Sequence, residues 1–172
     1  MTEPFVAAEL MATGRSMAGL DLHDVEAVEP LGVLVDSVNA ESELHQRGHG
    51  GMRDKLTRIL ANRLRMQRDL AAHPEILDEV VDRPIIIIGM PRTGSTKTQK
   101  LLSSSGDFNW LPMWQTSFPS LMTGDRDESP EARKDGGRAY EAWLEEASPD
   151  MKYCHQFLAM EPEEDSWILE HS

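Results

Sequence analysis

Residues 83–96 read RPIIIIGMPRTGST, and this stretch decides the fold prediction. The run of four isoleucines, residues 85–88, is β-branched and lacks polar alternation, which is typical of a strand covered on both faces in a parallel sheet. Gly89 and Gly94 bound a short loop after it, and Lys97 to Ser105 is predicted to be a helix. A strand at Pro84 to Gly89, a glycine loop and a helix together indicate an α/β architecture.

The loop has the spacing of a nucleotide-binding P-loop with one change. The motif GxxxxGK[ST] places a lysine after the second glycine, where this chain has Ser95. In loops that cleave nucleotides this lysine contacts the β- and γ-phosphates, whereas the cations available here are Arg92 and Lys97. The sequence therefore disfavours an ATP-cleaving site.

The remaining features of the loop suit a bound phosphate or sulfate group. Glycines allow the backbone to approach an anion, and the helix after Gly94 contributes the positive end of its dipole. Arg92 offers a planar cationic fork, and hydroxyls are supplied by Thr93, Ser95 and Thr96. The alternative is a plain turn in which the hydroxyls only cap the helix. The strand, both glycines, the arginine and the three hydroxyls together favour an anion site.

Residues 1–82 lack the alternation of strands and are predicted to form a helical extension, followed by an α/β domain at residues 83–172. The clearest helix runs from about Arg53 to Ala72, with an apolar stripe at Leu56, Leu60 and Leu64 and arginines opposite. Gly48, Gly50 and Gly51 are expected to make a flexible break before it. The basic residues 53–68 are interpreted as a solvated helix face, with a surface facing nucleotide or substrate as the alternative.

Two further helix starts are predicted downstream of an aromatic-rich stretch, residues 110–118, which suits either core packing or a substrate pocket. Ser129-Pro130 resembles an N-cap and first helical position, and Gly136-Gly137 is expected to weaken that helix. Glu161-Pro162 marks the second start, where an acidic trio, residues 163–165, complements the helix dipole.

The composition bears on nucleic-acid binding, membrane insertion and cellular location. The formal net charge of -13 argues against a surface that attracts nucleic acid. No apolar stretch approaches the roughly 20 residues needed to cross a bilayer. The single Cys154 cannot form an internal disulfide, and no secretory signal is recognisable. Both features are expected of a cytoplasmic protein.

At the loop the chain resembles the sulfotransferase family, in particular a bacterial branch whose loop reads PRSGTT or PRTGST after an apolar strand. The resemblance continues at residues 62–65, 73–76, 111–112 and 162–165, about two thirds of the chain. It implies a P-loop-like sulfotransferase fold and 3′-phosphoadenosine 5′-phosphosulfate as the sulfuryl donor. The donor-binding residues would be Pro91, Arg92, Thr93, Gly94, Ser95 and Thr96.

The resemblance also implies catalytic roles. Arg92 would assist the leaving group, and no metal is required. The base would be His155, with Glu163 or Glu164 as the alternative. The residue types alone favour an ordinary surface histidine at position 155 and a favourably charged helix start at the acidic residues.

The family's residues for the 3′-phosphate and adenine are not found in this sequence. We therefore expect an incomplete, amino-terminal portion of the fold, with a hydroxyl or amine small-molecule acceptor and with self-association or a complementing chain as partners. A kinase-like nucleotide-binding protein and a non-catalytic interaction module with a vestigial loop are the alternative functions.

Overall fold

The computed structural model describes residues 3–90 and 92–171. The contacts divide the chain into two compact units, one ending at Ala72 and including His171, the other running from His73 to Glu170. The predicted boundary between residues 82 and 83 stays a prediction.

The first unit contains α1 (Ala7–Ala18), α2 (Val28–Glu41) and α3 (Gln46–Ala72). α1 packs along α3 and also contacts α2. The unit's core is apolar and includes Phe5, Leu10, Leu31, Val35, Leu56 and Leu60. The predicted stripe of leucines on α3 is therefore confirmed as the buried face of that helix.

Two predictions about α3 are wrong. The three glycines predicted as a break lie inside the helix, where Nδ1 of His45 accepts a hydrogen bond from the Gly48 N–H at 2.9 Å and caps the first turn. The basic cluster is not simply a solvated face, because Arg58 and Arg65 are buried. Arg65 donates to the carbonyl of Met17 at 2.8 Å.

An ion pair joins the buried Asp24 to Arg63 of α3. Asp24 Oδ2 accepts from Arg63 Nε at 2.5 Å, and the Ala27 N–H donates to Oδ1 at 3.2 Å. Burial alone would raise the pKa of Asp24, but the hydrogen bond and charge of Arg63 outweigh it and hold that pKa below its usual value. Arg63 also donates to the carbonyl of His171 at 2.6 Å.

The second unit contains α4 (Ser95–Ser104), α5 (Met113–Ser117), α6 (Glu131–Ala147) and α7 (Ser166–Leu169). Short 3₁₀ helices occur at Pro74–Asp78 and Met151–Tyr153. The predicted helices therefore form, with starts displaced by a few residues. α5 packs against α6 and α7, so part of the aromatic-rich stretch is core.

Gly137 explains the close packing of α5 on α6. A Cβ added at this glycine would lie 2.5 Å from Cβ of Trp114, and one at Gly136 would lie 2.9 Å from the ring of Phe118. The two glycines reduce intrinsic helix propensity, as the sequence indicated, but they also remove the side chains that would keep the helices apart.

The predicted strand at Pro84 to Gly89 is wrong for the structure described here, and the α/β class is not confirmed. Residues 84–90 form neither helix nor strand, and the only β pairing among the described residues is an isolated antiparallel bridge between Pro112 and Pro162. Ile86 and Ile88 are 73% and 91% exposed. A strand is stabilised by hydrogen bonds to a neighbouring strand, and the described part of the chain supplies no neighbour for this segment.

Candidate functional site

The loop is shaped by a close approach and by two left-handed residues. A Cβ at Gly89 would lie 2.8 Å from Oγ1 of Thr93, so a larger residue would displace the turn. Arg92 and Gly94 have φ values of 67° and 92°. A left-handed arginine is uncommon, and its conformation turns the chain sharply before α4. Pro91, a predicted donor-binding residue, lies outside the described residues.

The start of α4 provides the donors expected of an anion site. Gly94 is the N-cap, and the first N–H groups of a helix have no carbonyl partner within that helix. Ser95 and Thr96 are partly buried and Lys97 is exposed. Thr93 uses its hydroxyl to close the loop, donating to the carbonyl of Met90 at 2.6 Å. Backbone donors, two hydroxyls and a nearby lysine are thus grouped at one helix end.

Arg92 links the loop to the segment that carries His155. Its guanidinium donates a hydrogen bond to the carbonyl of Cys154, the residue directly before His155. The loop and this segment are 62 residues apart in sequence. The contact therefore brings the predicted anion-binding arginine beside the predicted base.

His155 is paired with a buried carboxylate. Its Nε2 lies 3.0 Å from Oε1 and 3.1 Å from Oε2 of Glu163, which is 5% exposed. The ring also stacks on Phe157 with the centroids 4.5 Å apart. A carboxylate in this position fixes the imidazole orientation and favours the tautomer with its proton on Nε2.

Helix α4 holds the segment that contains Glu163. Gln99 Nε2 donates to the carbonyl of Glu163 at 2.8 Å, and Lys100 pairs with Glu161. On the other side, the N–H of Met113 donates to the carbonyl of Glu161 at 2.9 Å. Because α4 begins at the loop, these contacts connect the loop to the His155 and Glu163 pair.

The structure brings together most of the residues that the sequence singled out. Arg92 contacts the backbone next to His155, and the Glu164 N–H donates to Glu163 Oε1 at 3.0 Å. Glu164 itself is exposed. The ligand atoms of His155, Glu163 and Glu164 lie within 4.8 Å of one another, a spacing that could hold a cation. The hydrogen bond from His155 to Glu163 accounts for much of this closeness.

Sequence reasoning did not find Gln99 and Lys100, nor did it separate Glu163 from Glu164. Gln99 lies one turn after Thr96 on α4. Nothing in the nearby sequence indicates that its partner is more than 60 residues away. The buried position of Glu163 depends on the fold around it. A pair of adjacent glutamates gives no signal of which one turns inward.

Comparison with known proteins gives a consistent result. A profile of the Sulfotransferase family matches residues 84–172. The chain is 26% identical to the solved structure of sulfotransferase STF1 from Mycobacterium tuberculosis H37Rv, with a TM-score of 0.71 over 99% of this chain and 48% of that one.

The structure of sulfotransferase STF9 from Mycobacterium avium gives the same identity of 26% and TM-score of 0.71, over 98% of this chain and 44% of that one. The chain thus spans about half the length of these proteins. No curated protein sequence matches it. Within the described residues, no helix combines the length and apolar character needed to cross a membrane.

Proposed function

Because the chain belongs to the sulfotransferase family, we propose that it provides the donor-phosphate loop and the acceptor base of a sulfuryl-transfer site. The observation that carries this proposal is the contact of Arg92 with the backbone beside His155, whose ring is paired with Glu163. An anion site next to an oriented base is the arrangement that sulfuryl transfer to a hydroxyl needs.

We propose 3′-phosphoadenosine 5′-phosphosulfate as the donor. The tight turn at Gly89, the left-handed Gly94 and the ten-residue helix α4 are compatible with a bound phosphate at the residues Arg92 to Thr96. When bound, the donor supplies a sulfuryl group whose bond to the phosphate oxygen breaks as the acceptor oxygen bonds to sulfur. The loop's task is to bind and orient the 5′-phosphate.

The protein residues then have separate tasks. Arg92 donates one N–H to the carbonyl of Cys154, and its other guanidinium N–H groups stabilise the negative charge that accumulates on the departing phosphate. His155 takes the acceptor proton on Nδ1, since Nε2 faces the Glu163 carboxylate. Glu163 stabilises the resulting imidazolium, and Gln99 holds its backbone in place. Glu164, exposed beside them, is the alternative base.

A kinase-like function and a non-catalytic module are less well supported. Ser95 at the lysine position lacks the charge that a triphosphate requires. A module with a vestigial loop gives no reason for the pairing of His155 with the buried Glu163 beside that loop.

The exposed segment at residues 85–88 supports a further part of the proposal, namely pairing with a strand from a second copy or from a complementing chain. Its four β-branched residues suit a strand, and Ile86 and Ile88 are largely exposed. Unpaired backbone in such a segment is a template for strand addition. This pairing would cover the apolar surface.

Isothermal titration of the chain with adenosine 3′,5′-bisphosphate tests the donor site. We expect saturable binding that Arg92→Ala weakens by at least about tenfold, because a charge-assisted contact to phosphate is worth roughly 1.5–3 kcal/mol. Arg138→Ala is the matched control, since Arg138 is a half-exposed arginine of α6 that pairs with Asp135. Absence of heat at millimolar nucleotide, or equal weakening by both variants, contradicts the proposal.

A further inference from the structure

A groove opens beside His155. It lies among the second half of α6, the 3₁₀ helix Met151–Tyr153 and residues 155–158, it is open to solvent, and its cavity volume is about 70 Å³. His155 is one of its lining residues. Enclosed small-molecule sites typically occupy about 300–1,000 Å³, so this smaller, open groove would contact one side of a ring and leave the rest of a ligand in solvent.

The groove has an apolar wall. Leu144, Met151, Phe157 and Leu158 line it, and Phe157 is held by ring contacts with His155 and with Trp167 at 4.5 Å and 5.7 Å between centroids. A fixed aromatic ring next to aliphatic side chains favours an apolar or ring-containing ligand.

The charged lining is mainly acidic. Glu141 and Glu145 are four residues apart on α6, so they lie on the same face of the helix, and both line the groove. Lys152 is the cation in the lining, and its Nζ lies 5.5 Å from the ring centroid of Tyr153. The two carboxylates therefore outnumber the single ammonium group.

The two carboxylates differ in their partners. Glu141 Oε2 accepts from the Ala159 N–H at 2.7 Å, which fixes this side chain against the segment after His155. Glu145 is exposed, and no hydrogen bond or ion pair of its carboxylate is found among residues 3–90 and 92–171. Glu145 is thus available for a charged group on a ligand.

From these features we infer that the groove is the acceptor site and that it takes a molecule with an apolar body, a hydroxyl and a positively charged amino group. This inference rests on the proposed function, because it takes His155 as the base for the hydroxyl. The apolar wall holds the body, His155 meets the hydroxyl, and Glu145 attracts the ammonium. An acceptor with a carboxylate would be repelled by Glu141 and Glu145 and by a chain whose net charge is -13.

Three phenols of similar size separate the effect of ligand charge from that of the apolar ring: cationic tyramine, uncharged 4-ethylphenol and anionic 3-(4-hydroxyphenyl)propionate. Each is titrated into the ¹⁵N-labelled full chain without nucleotide, and the dissociation constant is taken from amide shifts of groove residues. We expect tyramine to bind most tightly and the propionate most weakly. Equal or tighter binding of the propionate would overturn the inference.

Substitution of Glu145 tests the charge directly. Glu145→Gln is expected to weaken tyramine binding by about two- to fivefold, the range for an exposed ion pair, and to leave 4-ethylphenol binding unchanged. Glu146→Gln makes the same change on α6 outside the groove and should leave both unchanged. Equal effects of the two substitutions would contradict the inference.

The titration also distinguishes this inference from the proposed function. Because it contains no nucleotide, its outcome does not depend on the loop. Tyramine binding in a chain that fails to bind adenosine 3′,5′-bisphosphate would support a groove for a cationic phenol and contradict the sulfuryl-transfer proposal. Nucleotide binding without tyramine binding would contradict the inference alone.

Discussion

His155 Nε2 lies 3.0 Å from Oε1 of Glu163, a carboxylate that is almost fully buried. A histidine near the surface that is paired with a buried carboxylate has a fixed ring orientation, and its other nitrogen is left to face a ligand. In the proposed function, this pair is the proton acceptor and Arg92, bonded to the backbone beside it, contacts the anion.

Glu163→Gln tests the orientation of His155. The carboxylate favours the tautomer with its proton on Nε2, and a neutral amide removes most of that preference. We expect the ¹⁵N shifts of the His155 ring to change from a predominantly Nε2–H pattern to a mixture of tautomers. Glu164→Gln, which neutralises the exposed neighbour, should leave the pattern unchanged. An unchanged ring pattern in the Glu163 variant would contradict the assigned role.

Gly137→Ala tests the close packing of α5 on α6. The added Cβ would lie 2.5 Å from Cβ of Trp114, so one helix must move, and we expect destabilisation of about 1–3 kcal/mol. Gly32→Ala in α2 is the matched control, because a Cβ there meets nothing within 4 Å. This control should stabilise the chain by up to about 1 kcal/mol through helix propensity. Urea unfolding measures both, and equal effects would contradict the packing account.

Asp24→Asn tests the ion pair with Arg63. The folded-state pKa of Asp24 is lowered, so its stabilising contribution is present above the unfolded pKa of about 3.9 and is lost as the pH falls through the folded value. At pH 7 we expect the substitution to cost about 1.5–3 kcal/mol, as for a hydrogen bond to a charged group. The difference from the unsubstituted chain should shrink at pH 3.

Chemical unfolding at the two pH values measures that difference. Asp54→Asn on the exposed side of α3 is the control and should have little effect at either pH. A cost for Asp24→Asn that is as large at pH 3 as at pH 7 would show that the carboxylate's charge is not what stabilises the unit.

The double substitution Ile86→Lys and Ile88→Lys tests strand pairing. Both side chains are exposed, and lysines on an unpaired edge oppose strand addition. We expect the unsubstituted chain to associate in sedimentation experiments and the double variant to associate less. Val25→Lys, which changes an exposed valine of the first unit, should not alter association. A monodisperse monomer before substitution would contradict pairing between copies.

The sequence predicted the parts of the structure that depend on local rules. The glycine spacing and hydroxyls located the loop at the start of α4, and the leucine period located the buried face of α3. The pairing of His155 with Glu163 came only from the structure, because it depends on how the chain folds between α5 and α7. The isoleucine run shows the opposite case: its strand preference is strong, but a strand also needs a neighbour, which residues 3–90 and 92–171 do not provide.

The paired arginines of α3 show a second reason why the sequence did not predict the whole structure. Their sequence pattern is that of a solvated face, yet Arg63 is paired with Asp24 and Arg65 with the carbonyl of Met17. Charged groups become buried when partners from elsewhere in the chain satisfy them, and no local pattern reveals such partners.

The most direct test of the account is a ¹H–¹⁵N titration of the chain with adenosine 3′,5′-bisphosphate, which reports the loop itself. The account predicts that the largest shifts occur at the amides of Gly94, Ser95 and Thr96, with smaller shifts at His155. Shifts confined to other regions, or none at these amides with millimolar nucleotide, would contradict the claim that this loop binds the phosphate of a sulfuryl donor.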